Sequence, residues 1–142
     1  MIKNLYEIFE EFEKATTRNE RIEILKRNKS IHLTQFLQYT FDPQYQFYIT
    51  EFPKNYKKPN TLPGIRIAGL ESEIRKTYLF LKGNPTADIL TTEKRNILLL
   101  QILESFEPKE AELYIKMLQK NLPYPYLTKS LINETFPNLL PN

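Results

Sequence analysis

Hydrophobic side chains recur every three or four residues along most of the chain, which is the spacing of helices with one buried face. Residues 2–15 show this spacing most clearly, because Ile, Leu, Tyr and Phe alternate there with glutamates on the opposite face. The stretch 22–53 continues the spacing through three short segments, each with its own start signal. No two segments have the strict alternation of paired, half-buried strands. The pattern therefore predicts an all-α protein.

Helix-capping residues divide the first half of the chain into separate predicted helices. Thr17 opens the capping box T-R-N-E with Glu20, and the helix that follows is expected to end near Asn28. Ser30 is the predicted cap of the next helix. The positions of that helix expected to point inward are Ile31, Leu33, Phe36, Leu37 and, at its end, Phe41.

An acidic residue followed by proline marks two further predicted helix starts, at Asp42 and at Glu107. The first helix is expected to run to the proline at position 53, with its aromatic residues pointing inward. The segments 40–49 (TFDPQYQFYI) and 105–115 (SFEPKEAELYI) share this start and a later Tyr-Ile pair. Two readings stay open, a chain of two pseudo-symmetric helical halves or a chance repetition of a common helix start.

The second half of the chain carries the remaining predicted helices and two loops. A loop over 53–68 holds three prolines and four basic residues, and a second loop is expected over 83–91. Helices are predicted over about 69–82, from Thr91 or Thr92 onward, and from a Thr128 cap to the proline at 137. The whole is expected to be a single helical domain, 1–142, a compact bundle of about eight short helices.

Composition excludes most catalytic chemistry. The 142 residues include no cysteine, three glycines and one histidine, His32, which is expected to be an ordinary surface or partly buried residue. A zinc site needs several His or Cys ligands, and a phosphate-binding loop needs closely spaced glycines. We therefore expect no enzyme activity, no metal and no cofactor. No apolar run reaches the roughly 20 residues that span a bilayer, so no membrane partner is expected. A cytoplasmic location is expected.

The net charge of +3 is unevenly distributed. Residues 25–95 carry 12 basic and 6 acidic side chains, whereas the segments before and after them are slightly acidic. This distribution favours one basic face, although scattered solvated lysines would give the same totals. The acidic first helix is expected to avoid DNA. The candidate phosphate-binding residues are Lys26, Arg27, Lys29, Lys54, Lys57, Lys58, Arg66, Lys82, Lys94, Arg95, Thr128, Lys129 and Ser130.

Two blocks of residues near the ends of the chain resemble a known family. They are Ile24-Leu25-x-x-Asn28, Leu37-x-Tyr39-Thr40, Gln46-Phe47-Tyr48-Ile49, Phe52-Pro53, Ser130, Asn133 and Phe136-Pro137-Asn138-Leu139-Leu140-Pro141. They resemble the N-terminal DNA-binding domain of ATP-dependent DNA ligases of the bacteriophage T4 type. The resemblance brackets the chain from about residue 2 to 141. The whole chain also resembles a family of uncharacterised stand-alone proteins of large tailed phages.

The resemblance implies a helical bundle that grips duplex DNA, nicked or intact, from the minor-groove side through phosphates. It also implies a phage protein acting in the cytoplasm of the host cell. The Lys-x-Asp-Gly motif of ligases is absent, because neither Asp42 nor Asp88 precedes a glycine. The resemblance therefore implies binding without ligation. In the loop 53–68, Tyr56 is a candidate for stacking on a sugar or base.

One departure from the ligase pattern suggests a second function. A glycine that approaches a phosphate in those ligases is replaced here near Tyr126, and a tyrosine cannot give the same close approach. The surrounding Pro-Tyr-Pro-Tyr segment, with Tyr124 and Tyr126, is a candidate contact for a phage replication protein or a host protein. A contiguous positive face would favour DNA, and an exposed apolar patch at the two tyrosines would favour a protein partner.

Overall fold

The computed structural model describes residues 4–53 and 70–141, which form a helical bundle. Among these residues there are eight α-helices and one 3₁₀ helix, and no β-strand longer than an isolated bridge. The α-helices are α1 Leu5–Lys14, α2 Arg18–Arg27, α3 Ile31–Phe41, α4 Leu70–Glu73, α5 Pro85–Asp88, α6 Thr92–Ser105, α7 Pro108–Leu118 and α8 Lys129–Thr135. The 3₁₀ helix is Ile74–Phe80. The all-α prediction is confirmed.

Side-chain caps start four of the α-helices where the sequence predicts them. Thr17, Ser30, Thr91 and Thr128 each accept the backbone N–H of the residue three positions later. Each cap satisfies an amide that the helix itself leaves without an acceptor. The carboxylate of Glu20 does not return to the Thr17 amide, however. It accepts the Thr16 amide at 3.2 Å, so the predicted capping box is displaced by one residue.

Helix α7 lies at the centre of the bundle, with α1, α3, α4 and α6 packed around it and α8 packed on α2. Its buried polar groups find partners on neighbouring elements. The Tyr114 hydroxyl lies 2.9 Å from the Thr77 hydroxyl, and Glu110 Oε2 accepts the Leu70 amide at 2.8 Å. Burial raises the pKa of Tyr114 above its ordinary value, although the Thr77 hydrogen bond opposes that rise. These bonds tie α7 to α4 and the 3₁₀ helix.

The fourth predicted helix is wrong, because residues 42–53 form an irregular, partly extended segment. The Asp42 carboxylate accepts the Gln44 amide at 2.9 Å, which makes an Asx turn instead of a helix cap. Further on, the Tyr48 amide donates to the Phe80 carbonyl at 2.8 Å, so this backbone bonds to a distant segment. The inward positions were predicted correctly at Phe47 and Ile49, which are both buried. The partly buried residues of this segment are Tyr45, Tyr48 and Phe52.

The two acid-proline segments therefore differ in structure. The proline after Glu107 opens α7, whereas the proline after Asp42 opens a turn. The repeated sequence does not correspond to a repeated fold at these positions. Ile31 was also expected inside, but its side chain is 72% exposed because the first residue after the Ser30 cap faces solvent.

The segment predicted as one helix over 69–82 is α-helical only at its start. Ile74, Thr77 and Phe80 are all fully buried, and a 3₁₀ helix with three residues per turn aligns these positions on one face. Gly83 follows with φ of +92°, a conformation that side chains rarely adopt. The loop predicted over 83–91 contains the short helix α5, which Asn84 caps.

Candidate functional site

Helix α8 is held against α2 by a polar cluster that joins the start of α2 to both ends of α8. Arg18 Nε donates to Glu134 Oε2 at 2.8 Å, and Arg18 Nη2 donates to Ser130 Oγ at 3.3 Å. Thr128 is used as the cap of α8, where its hydroxyl accepts the Leu131 amide at 3.2 Å. The predicted residues Thr128 and Ser130 are therefore both engaged within the protein, next to an arginine that the sequence did not single out.

A second arginine of α2 lies on the segment that precedes α8. The Arg21 guanidinium stacks 3.9 Å above the ring of Tyr126, and its Nη2 donates to the Ala15 carbonyl at 2.9 Å. Tyr126 is 55% exposed, so a cation covers one face of the exposed ring. A stacked guanidinium gains cation–π energy and is fixed in orientation. The exposed ring of Tyr126 therefore lies over a buried positive charge.

Three lysines complete the positive surroundings of α8. Lys29 Nζ lies 5.9 Å from the ring of Phe136, which ends α8. Lys120 Nζ donates to the Asp42 carbonyl at 2.7 Å. Burial lowers the pKa of Lys120, the nearby charge of Asp42 opposes that shift, and the charge of Lys129 adds to it. We define the α8 face as Arg18, Arg21, Lys29, Lys120 and Lys129.

The carboxylates of α2 lie on the side of that helix that faces away from α8. Arg27 lies on this side too, and it forms an ion pair with Glu11 on α1. Glu20 and Glu23 precede Arg27 by seven and four residues, a spacing that places all three on one side of a helix. On the α8 face, among the described residues, Glu134 is paired with Arg18, and the charge of the Asp42 carboxylate acts on Lys120.

A second basic cluster forms where α6 begins. The Arg95 guanidinium stacks 3.8 Å above the ring of Tyr48 and donates from Nη2 to the Ala87 carbonyl at 3.1 Å. Lys82 Nζ lies 5.9 Å from the same ring. The Tyr48 hydroxyl donates to the carboxylate of Asp88. The fold therefore brings the predicted residues Lys82 and Arg95 together on a tyrosine, while Lys94 stays exposed on the first turn of α6.

Arg21 and Arg95 occupy matching positions in the fold. Each lies four residues after a threonine cap, Thr17 or Thr91, and each is 9% exposed. Each stacks on a tyrosine and bonds a carbonyl of the preceding segment, and in each case Nε has no hydrogen-bond partner in the part of the chain that the structure describes. This recurrence of T-x-x-x-R is the internal similarity that the structure realises.

The Tyr48–Asp88 bond makes stability depend on pH at both extremes. The Tyr48 hydroxyl and then the Gly83 amide, which donates at 2.9 Å, hold the pKa of Asp88 below its ordinary value. That contribution is present above about pH 4 and is lost as pH falls. The pKa of Tyr48 is raised by its bond to Asp88, so that contribution is lost as pH rises past about 10.

We expect Tyr48→Phe to flatten the acid and alkaline limbs of the urea-unfolding midpoint plotted against pH. The reason is that the substitution removes the hydrogen bond between the Tyr48 hydroxyl and the Asp88 carboxylate. Tyr78→Phe, which alters an exposed tyrosine, is the matched control and is expected to keep the wild-type profile. A Tyr48→Phe profile that coincides with wild type below pH 4 and above pH 10 would contradict the bond.

Tyr124 faces a different surface from Tyr126. Its ring stacks on Phe9 with centroids 5.0 Å apart. Burial raises the pKa of Tyr124 to about 12, and the carboxylates of Glu13, Glu10 and Glu112 act in the same direction. The two tyrosines therefore do not form the single apolar patch that would favour a protein partner. Tyr124 instead lines a groove of about 330 Å³ between α1 and α7, together with Tyr6, Glu10, Lys109, Glu112, Leu113, Lys116 and Pro123.

Sequence reasoning located some of these residues and missed others. The candidates Lys54, Lys57, Lys58 and Arg66, together with Tyr56, lie outside the described residues. Lys26 is exposed on α2. Arg18, Arg21 and Lys120 were missed. The spacing of three between the two arginines could have shown that they share a helix face, but nothing near Lys120 in the sequence indicates its position beside Lys129.

Among the described side chains of 4–53 and 70–141, no three His, Asp or Glu residues come close enough to hold a metal ion. Nor does any helix in these ranges combine the length and apolarity needed to cross a bilayer.

Comparison with known proteins identifies a family. Residues 8–124 match a family of unknown function, DUF6433. No curated protein matches the chain.

Proposed function

The chain belongs to the DUF6433 family, whose function is unknown, and from its own residues we propose that it is a non-catalytic protein that binds duplex DNA through phosphates. The binding would be independent of sequence and would suit intact or nicked duplex. By its resemblance to ligase DNA-binding domains, we place this activity in phage DNA replication or repair, in the cytoplasm of the host cell. The single observation that carries the proposal is the α8 face.

The charges of the α8 face suit a phosphate backbone. Its lysines and arginines come from α2, from the turns that follow α2 and α7, and from α8, so the packed helices hold them at fixed separations. Lys29 and Lys129 are exposed, and Lys129 also repels the half-buried Lys120, whose charge is offset in part by the carboxylate of Asp42. An anion laid across the exposed lysines would neutralise their charge and release counterions. Such contacts position a duplex without reading bases.

The opposite charge elsewhere favours one orientation. On the groove between α1 and α7, the carboxylates of Glu10, Glu13 and Glu112 surround Tyr124, and Lys109 is paired with Glu10 at 3.6 Å. A polyanion is repelled from such a surface. We therefore propose that duplex DNA lies on the α8 face with the α1–α7 groove directed away from it.

Salt dependence tests this proposal. Contact with about six phosphates predicts that the logarithm of the association constant falls against the logarithm of salt concentration with a slope near −5. Fluorescence anisotropy of a labelled 20-base-pair duplex, titrated with the full chain at several potassium chloride concentrations, measures the slope. A nicked duplex of the same sequence reports any preference. Absence of binding to both duplexes at low salt would sink the proposal.

The second candidate function is a protein-interaction module that keeps the ligase-domain fold without binding DNA. The α1–α7 groove favours it, since Tyr6 and Tyr124 line a concave surface of about 330 Å³. Aromatic side chains of this kind are common at protein interfaces. The two candidates use different surfaces, so substitutions on the α8 face separate them.

A further inference from the structure

A pocket of about 190 Å³ lies between the Tyr48 segment and the start of α6. Most of its lining residues have polar side chains, and they come from two segments that are distant in sequence. The lining residues are Tyr48, Ile49, Thr50, Glu51, Thr92, Arg95 and Asn96. The pocket is separate from the α8 face, and what it binds does not depend on whether that face binds DNA.

The first turn of α6 contributes donors to this pocket. Thr91 Oγ1 takes the Lys94 amide at 3.1 Å, and the Thr91 carbonyl takes the Arg95 amide at 2.9 Å. Helix geometry leaves the amides of Thr92 and of the next residue without an intrahelical acceptor. The α6 helix has 14 residues, so its amide dipoles favour negative charge at this end.

Arg95 gives an independent indication of the ligand. It is 9% exposed, lines the pocket, and keeps its Nε without a hydrogen-bond partner within the described ranges. Its plane is already set by the Tyr48 ring on one side and by the Ala87 carbonyl at Nη2. Because Nε itself is enclosed, a ligand in the pocket would meet the other N–H groups of the guanidinium, and a guanidinium is best matched by the oxygens of a phosphate or carboxylate.

Two carboxylates near the pocket bear on the charge of the ligand. Asp88 is already bonded by the Tyr48 hydroxyl and by the Gly83 amide. Glu51 is exposed and is the one carboxylate among the lining residues. Its negative charge repels an anion in the pocket, so removing that charge by substitution should raise the affinity for the anion.

From these contacts we propose that the pocket binds one phosphate group, held by Arg95, the Thr92 hydroxyl and the first-turn amides of α6. A volume of about 190 Å³ accommodates a compact oxyanion with part of an attached group. The same chemistry serves inorganic phosphate and the terminal phosphate of a nucleotide or a nucleic-acid strand. This site would bind a terminal phosphate at a place separate from the α8 face, on which the proposed function rests.

The test follows amide chemical shifts of the ¹⁵N-labelled full chain during titration with sodium phosphate at constant ionic strength, with sodium chloride as the reference. We expect saturable shifts at Thr92, Arg95 and Asn96, with a dissociation constant on the order of 1 mM. Thymidine 5′-monophosphate and thymidine form a second pair of ligands. Tighter binding of the monophosphate than of inorganic phosphate identifies a nucleotide end, and equal binding identifies free phosphate.

Variants give results in opposite directions. Arg95→Gln is expected to weaken phosphate binding by about tenfold or more, and Thr92→Val to weaken it by about threefold. Glu51→Gln is expected to strengthen it, and Lys116→Gln, on the α1–α7 side, to leave it unchanged. Should Arg95→Gln fail to fold, the Thr92 and Glu51 variants still decide. Shifts no larger than those with chloride, or unchanged affinity in both of these variants, would overturn the proposal.

Discussion

Reversing two charges on the α8 face, with Lys29→Glu and Lys129→Glu together, is expected to weaken duplex binding by on the order of 100-fold at low salt. Each substitution removes a phosphate contact and adds repulsion. The slope of the salt plot should also become shallower by about 2, because each lysine that leaves a phosphate removes about one released counterion. Both side chains are exposed, so the fold should not change.

A matched control carries the same charge change on the other side of the molecule. Lys109→Glu and Lys116→Glu lie at the α1–α7 groove, and together they also lower the net charge by four. Anisotropy titrations of both double variants at the same salt concentrations separate a local contact from a general effect of charge. Equal weakening in the two variants would contradict an interface on the α8 face and would indicate only non-specific attraction.

Truncating Phe9 to alanine is expected to lower the free energy of unfolding by about 3–5 kcal/mol. Phe9 is fully buried and joins three parts of the bundle, since its ring lies 5.4 Å from that of Phe36 on α3 and 5.0 Å from that of Tyr124. The loss combines transfer of the ring to water, a cavity, and two aromatic contacts. For a domain of ordinary stability, about 5–15 kcal/mol, this is a large fraction.

Urea unfolding followed by circular dichroism at 222 nm measures the change. Tyr78→Ala serves as the control, because this ring is 42% exposed and its removal leaves no enclosed cavity. We expect the control to lose less than about 1 kcal/mol. A loss at Phe9 no larger than that at Tyr78 would mean that α1 is not part of the cooperative core.

A substitution at Phe9 also helps to separate the two candidate functions. The Phe9 ring stacks on that of Tyr124, and Tyr124 lines the α1–α7 groove. The residues of the α8 face come from α2, α8 and the turns after α2 and α7, and the Phe36 and Tyr124 rings on which Phe9 packs are not among them. A milder change, Phe9→Leu, is therefore expected to alter the groove while leaving duplex affinity as it is.

Much of the helix pattern could be predicted from the sequence because its signals are local. A threonine or serine cap needs only the amide three residues later, and the three-and-four spacing of apolar residues needs only the helix itself. The caps at Thr17, Ser30, Thr91 and Thr128 therefore place four helices correctly. Where a local signal had two solutions, as at Asp42, the prediction was wrong.

The candidate sites could be predicted only in part, because they combine segments that are distant in the sequence. Lys82 and Arg95 flank one loop, so their proximity follows from sequence, but the Tyr48 ring that both approach is brought there by the segment at 42–53. Arg27 looked equivalent to its neighbours until the fold paired it with Glu11.

The sequence by itself determined an all-α chain, the starts of its capped helices and the basic character of residues 25–95. These depend on contacts within a few residues and on composition. Only the tertiary structure decided that α2 lies on α8, which brings Arg18 to Glu134 and Lys29 to Phe136 on the helix that also carries Lys129. It alone decided that the Nε of Arg95 is left without an acceptor beside a pocket. Such arrangements depend on side chains from segments far apart in the chain, and no local pattern records which of those segments will meet.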